Sequence, residues 1–354
     1  MTETSSYVPG GRVEKLPAPL RPIGRLLRDI VLSYRRGGWR ECLSDFRWLI
    51  DQYQRRLRMR RLTPQQILEL RRVLMEKGGR PRPECLITIT FGSRQFGNRD
   101  NRMVDFLNSV VATTEDTRRV EILLKIDEDD DLLFFRNIQR TYQSKLVLRF
   151  LVNERGRGYA DMHKYHTSLL KLRSPSSRML YILTEDAVLT VPRWDTQLLE
   201  LTAHRADNFF IATPATFAET ISIMGPNPVK PVPVYWVRGD DFPIIGMRLL
   251  DCTARVVAMH PGWTCLGNLF NVDGFSGDIL RRLWELHRMN LHIPVPQFAQ
   301  RTGVYNWAAS PERNSLRTET LLDFFKEPNQ KIRDEMVEAI TLAVTHPARV
   351  NAQS

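Results

Sequence analysis

Cysteine is scarce in this chain. Four are spread over 354 residues (Cys42, Cys85, Cys252 and Cys265), with no pairwise metal-site spacing. That argues against a disulfide-framed secreted scaffold and predicts reduced thiols in a cytoplasmic setting. Long apolar runs are lacking as well, and no stretch approaches the roughly 20 residues that cross a bilayer. The opening MTETSSYVPGG does not have the charged-then-apolar order of a secretory signal. There is no internal repeat and no P-loop, and the turn Gly156-Arg157-Gly158 is too short for a dinucleotide fingerprint. What is present is globular in character: 42% hydrophobic and 26% charged residues, enough for one large domain with additions.

The charge is unevenly placed. Residues 1–80 hold 18 Lys and Arg against 8 Asp and Glu, a surplus of ten, whereas the whole chain carries +11. Residues 1–20, with Pro9, Gly10, Gly11, Pro17 and Pro19, read as a loose N-terminus. Residues 21–80 read as a basic helical extension. Leu26, Leu27, Ile30, Val31 and Tyr34 recur at helical spacing; Gly37-Gly38 is expected to break the run. Trp39, Leu43, Phe46, Leu49, Ile50, Tyr53 and Leu57 continue the pattern, and Thr63-Pro64 opens a further helix with an N-cap and a first-turn proline. Basic amphipathic helices of this kind lie on an anionic membrane surface, here through residues 21–61, or pack as a hairpin with their arginines in water. Nucleic-acid binding finds no recognised motif and no interleaved aromatic platform.

After Pro81-Arg82-Pro83 the pattern changes to strands alternating with helices. Cys85–Phe91, Glu121–Ile126, Leu146–Val152 and Met179–Leu183 are apolar strand runs. Met103–Ala112, Leu132–Gln143 and Asp161–Leu172 are helical between them. This alternation implies a mostly parallel sheet with crossover helices. Three of the strands end in polar or acidic loops: GSRQFGNRDNR, the run Asp127–Asp131, and Glu185-Asp186. In an open α/β sheet that edge is where ligands bind. Adjacent acids beside a core need a positive partner, and a divalent cation carrying a phosphorylated ligand is the simplest one.

The order of these motifs resembles that of GT-A glycosyltransferases, especially family-2-like enzymes, over residues 85–200. The matching stretches are Ile89-Thr90-Phe91-Gly92-Ser93-Arg94; Leu107-Asn108-Ser109; Glu121-Ile122 through Asp127 and Asp131; Asn153 to Gly158; and Thr184-Glu185-Asp186-Ala187 followed by Trp194-Asp195. The resemblance implies an α/β, GT-A-like nucleotide-sugar-binding fold, with a mostly parallel central sheet flanked by helices and the N-terminal helical extension added. The glycosyltransferase domain would span 81–312, with C-terminal helices over 313–354. It implies a nucleotide-sugar donor and a glycan or glycolipid acceptor, with transfer inverting and assisted by Mn or Mg. Thr90, Ser93, Arg94, Asp127 and Glu185 would meet the donor, Arg94 through a phosphate. Asp186 would hold the metal, and Asp273 would be the catalytic base, with Asp278 and Asp241 as rivals and a helix N-cap as its alternative role. His287 or His292 is a further candidate for the metal shell.

One departure stands out. Where the family commonly carries three acids, this chain ends the motif on Ala187. That keeps two other readings open: a GT-A-fold nucleotidyltransferase, and a degenerate, non-catalytic binding module.

Overall fold

In a computed structural model of the chain, residues 21–76, 81–96, 102–155, 168–214, 244–251, 292–302 and 338 are described. The chain divides into two compact units, Met1–Thr63 and Pro64–Ser354.

Among its described residues the first unit is formed by the helix α1 (Arg21–Arg60). The break expected at Gly37-Gly38 is a local change of backbone inside this helix: Gly38 has φ +65°, a left-handed value that glycine adopts without steric cost.

The second unit opens with α2 (Pro64–Glu76), which starts at the predicted proline. The sequence reading grouped α2 with the basic extension, but it falls in this unit and contacts the strand β3 (Val147–Asn153) and the helix α4 (Leu132–Tyr142). Leu74 of α2 is fully buried, and its carbonyl accepts Nε2 of the buried Gln139 at 3.0 Å.

The remaining elements follow in order: β1 (Ile87–Ser93), α3 (Met103–Thr113), β2 (Val120–Asp127), β4 (Met179–Ile182), β5 (Ala187–Leu189), α5 (Trp194–Leu201), β6 (Ile211–Pro214), β7 (Ile244–Gly246), β8 (His292–Val295) and β9 (Ala299–Arg301). Seven strands form one sheet in the order β3-β2-β1-β4-β7-β6-β8, while β5 and β9 form a separate pair. All sheet neighbours are parallel except where β7 meets β4 and β6, so β7 is the one reversed strand among the described residues. This is the mostly parallel, helix-flanked α/β sheet that the sequence implies.

The strands form where they do because both sheet faces are covered. All eight residues of β2 are buried, which is why VEILLKID reads as a nearly continuous apolar run. Phe91, Leu124 and Phe150 are neighbours in register on β1, β2 and β3. Phe106 of α3 stacks edge-on against Phe91, with centroids 4.8 Å apart, and Phe135 of α4 meets Phe150 at 6.4 Å. Consecutive right-handed crossovers put both helices on that face, and each buried phenyl contributes about 1.5–3 kcal/mol.

The alternate face of β2 is polar at both ends. Glu121, Leu123, Lys125 and Asp127 share it by strand periodicity. At the start of the strand Glu121 is fully buried and saturated: it accepts Thr88 Oγ1, Ser174 N and Ser174 Oγ, each at 2.7 Å. That end is structural. The other end, at Asp127, opens onto the carboxyl edge. Farther along the sheet, Gly246 is required by packing, since a Cβ there would lie 2.3 Å from the Asn208 carbonyl oxygen.

Candidate functional site

Four parallel strands, β1 to β4, deliver their C-terminal ends to one edge. Register sets Ser93 beside Ile126 and Asp127 beside Asn153. β4 stops sooner, with Ile182 opposite Thr90, and the chain then leaves the sheet through Thr184-Glu185-Asp186. Asp127 therefore ends β2 and Asp186 follows β4, strands two apart in the sheet, at the same edge; the strands themselves are about 10 Å apart.

Asp127 is held by two cations. Its Oδ1 accepts from Lys125 Nζ, and its Oδ2 accepts Arg94 Nη1 at 2.5 Å. Lys125 and Asp127 meet because they are two residues apart on one strand face. A buried lysine in an apolar strand is the signal that could have identified this partner from sequence. The Arg94 fork has further partners: Nη1 and Nη2 reach Asp129 at 3.1 and 3.3 Å, and Nε donates to the Phe96 carbonyl at 2.8 Å. Arg94 was expected to meet a phosphate; the structure turns it onto two carboxylates and its own loop. Burial works to raise the Asp129 pKa, but the Arg94 guanidinium overrides it and leaves that carboxyl below its ordinary value. The Arg94 pKa is raised in turn, since its two acids outweigh its desolvation.

The run Asp127–Asp131 has divided labour. Glu128 pairs with Arg71 of α2 at 3.1 Å. Asp130, fully buried, accepts the backbone N–H groups of Gln95, Phe96 and Asp131 at 2.8, 2.7 and 2.8 Å. Burial lifts its pKa, against the pull of those three donors. Asp131 caps α4 by accepting Phe134 N at 3.1 Å. Asp131 thus serves the start of α4. Asp130 instead pins the loop after β1 beneath Asp127, and Asp129 faces Arg94.

The second acidic stretch is tied to the far end of the described chain. β5 pairs with β9 antiparallel, matching Ala187 with Arg301. Asp186 Oδ1 accepts from Thr184 Oγ1, and its Oδ2 is 3.4 Å from Arg301 Nη1. The Asp186 carbonyl accepts both the N–H and the hydroxyl of Thr302 at 2.9 Å, while Arg102 Nη1 donates to the Thr302 carbonyl at 2.7 Å. Arg301 is 115 residues from Asp186, and nothing local in the sequence joins them. Glu185 is half-buried in the same turn.

These residues do not fit a divalent ion by themselves. Asp186 is one carboxylate already faced by an arginine, and Ala187 is enclosed in β5. Among the described residues no group of three His, Cys, Asp or Glu side chains could hold a metal.

Other named residues are placed as follows. Ser93 is buried at the end of β1. Thr90 was expected among the donor contacts; it lies three residues short of the strand end, fully buried, with no hydrogen-bond partner for its hydroxyl among the described residues. Trp194 is packed between Tyr181 and Phe298, and its Nε1 donates to Thr114 Oγ1 at 3.0 Å. Asp195 accepts the N–H groups of Glu115 and Asp116 at 2.8 and 3.1 Å, so this motif pair anchors α5 to the connection after α3. His292 begins β8. Asp273, Asp278, Asp241, His287 and the expected C-terminal helices lie outside the described residues, apart from the helical residue Glu338.

No family model matches the chain. No curated protein matches it either. Among solved structures it is similar to residues 1–349 of TarS from S. aureus in complex with UDP-GlcNAc, at 12% identity and a TM-score of 0.42, covering 73% of each chain. Of a longer TarS chain it covers 29%. It is similar to 4-diphosphocytidyl-2C-methyl-D-erythritol synthase from Anaerococcus prevotii, at 12% identity and a TM-score of 0.38, over 68% of this chain and 96% of that one. It is also similar to mouse xyloside xylosyltransferase 1 in its apo form, at 10% identity and a TM-score of 0.33, over 60% and 84%.

Proposed function

We propose that the carboxyl edge of β1 to β4 binds the nucleotide of a nucleotide-sugar donor, and that the chain is a glycosyltransferase acting on a glycan or glycolipid acceptor. The observation that carries this reading is the convergence at one edge of Ser93, Asp127, Asn153 and the Thr184–Asp186 turn, each from a different strand. Switch-edge clefts of parallel sheets bind nucleotides for this reason: several backbone ends and short polar side chains point at one volume.

In this reading Asp127 accepts a hydrogen bond from the base or ribose, oriented by Lys125 and Arg94. Arg94 orders the loop that carries Ser93. Glu185 and Asp186 face the sugar diphosphate side, where Arg301 and Arg102 bring positive charge close to Asp186 and Thr302. Guanidinium groups suit diphosphate oxygens because their planar fork matches two acceptors at once. Asp273 is the proposed general base. It takes the acceptor hydroxyl proton as that oxygen bonds to the anomeric carbon, and the sugar–phosphate bond breaks to release the nucleoside diphosphate with inversion.

Ala187 favours a second reading, a nucleotide-binding module without transfer. Its side chain is fully buried and it is in register with Arg301, so the motif's third carboxylate is missing from the turn.

Thermal-shift measurements with UDP, GDP, their sugar conjugates and nucleoside triphosphates, each with and without manganese, test the proposal. A shift with a nucleoside diphosphate or its sugar supports the donor reading. A shift with triphosphates alone overturns it in favour of nucleotidyl transfer, and no shift with any nucleotide removes it altogether. Donor hydrolysis or transfer, followed by release of nucleoside diphosphate, separates the enzyme from the binding module.

A further inference from the structure

The helix α1 displays an apolar stripe that a globular interior does not cover. Trp39, Leu43, Phe46, Ile50 and Tyr53 are 71%, 55%, 49%, 42% and 62% exposed. Their spacing of four, three, four and three residues puts them on one line of an α-helix. At 100° per residue the five lie within about 40° of a common direction. Soluble proteins seldom leave such a line of large apolar side chains in water.

Charge says what covers it. Arg40, Arg47 and Arg58 flank the stripe on one side, and Arg56 and Arg60 flank it on the other; all five are exposed. Asp51, on the more distant part of the helix, pairs with Arg55 at 2.6 Å. Residues 21–60 contain eleven arginines, four acids and no lysine. A second copy of this helix would set arginine rows against each other along the seam, which like-charge repulsion disfavours. A bilayer with acidic headgroups reverses the sign. The apolar line enters the acyl boundary, and the arginines on both flanks extend to the phosphates while keeping their stems on the apolar surface. Trp39 and Tyr53, apolar with a polar tip, suit that boundary. Among the described residues no helix is long and apolar enough to cross a membrane, so the geometry is that of a helix lying in the interface plane.

We infer that α1 docks the protein on an anionic lipid surface through the stripe Trp39–Tyr53 and its arginine flanks. The inference needs nothing from the donor reading, and its test does not involve nucleotides.

The test uses the full chain and sedimentation with phosphatidylcholine vesicles, with and without phosphatidylserine. Binding is expected only with phosphatidylserine and is expected to weaken as salt is raised. Phe46→Glu with Ile50→Glu is expected to lower partitioning more than about tenfold, and Arg40→Glu with Arg47→Glu and Arg58→Glu at least as much, each at unchanged helix content by circular dichroism. The second set lies on solvated positions, so it remains informative if the first variant unfolds. Equal binding to uncharged vesicles overturns the inference, as does no binding to either. A lipid-free dimer that Phe46→Glu with Ile50→Glu converts to monomer overturns it in favour of a second copy on the same stripe.

Discussion

The carboxylate of Asp130 accepts the backbone N–H of Phe96 at 2.7 Å across 34 residues of sequence, and this one bond fastens the loop after β1 to the loop after β2. Gln95 N adds a second bond to the same carboxylate at 2.8 Å. Asp130→Ala leaves three buried N–H groups, those of Gln95, Phe96 and Asp131, without this acceptor, so it is expected to destabilise the fold by about 2–4 kcal/mol. Urea unfolding at neutral pH measures this, and unchanged stability would show that the loop is held by other means.

Asp127→Asn keeps the shape of the side chain and removes its charge. Under the donor reading the nucleotide loses its oriented acceptor, and affinity for the bound nucleoside diphosphate is expected to fall about tenfold or more, near 1.4 kcal/mol. Calorimetric titration of both proteins checks it. An unchanged dissociation constant would remove Asp127 from the binding site.

Thr90→Val gives the opposite kind of result. The Thr90 hydroxyl is buried with no hydrogen-bond partner among the described residues, and valine fills the same shape without it. The variant is expected to be as stable as the parent or about 1 kcal/mol more so, with nucleotide affinity retained. Lost affinity at retained stability would return Thr90 to the donor contacts.

Asp129 provides a pH test. Its folded pKa lies below the ordinary value of 3.8 because Arg94 outweighs the burial that would raise it. A carboxyl with a depressed folded pKa contributes stability that is complete above its unfolded value and is lost as pH falls through the folded one. The stability gap between the protein and Asp129→Asn is therefore expected to be full near neutral pH and to close below 3.8. Parallel melting curves against pH measure the gap; a gap that widens in acid contradicts the pairing.

Cys85 is buried, and desolvation, aided by the nearby Glu121 charge, pushes its thiol up to about 11. Thiolate is the reactive form, so modification of Cys85 by a disulfide reagent is expected to be slow in the native protein and fast in denaturant. Mass mapping of the labelled peptide reads this directly.

Much of the sheet can be read in the residues because parallel strands covered on both faces appear as apolar runs closed by polar loops. β2 extends the expected EILLKI by one residue at each end, β4 stops one residue short of Leu183, and β1 is shifted at both ends. It runs through Gly92 and Ser93 because parallel pairing with Lys125 and Ile126 continues past the last apolar side chain. Gly37-Gly38 has the composition of a breaker, yet one left-handed residue is absorbed within α1. The site was legible where its partners are local, as with Asp131 capping α4. It was not legible where the partner is chosen by tertiary structure. Nothing near Arg94 shows that its fork will be spent on Asp127 and Asp129, and nothing near Asp186 points to Arg301.

The pairing of β5 with β9 also bears on the order in which the molecule can be assembled. β1 to β4 have all their mutual partners by Ile182, whereas the turn at Asp186 gains Arg301 and Thr302 only when the polypeptide has extended past them. On a ribosome the β1–β3 part of the carboxyl edge can close early, and the Thr184–Asp186 turn must wait for more than a hundred further residues. Until then β5 is an open strand edge, ready to pair with whatever extended segment reaches it first.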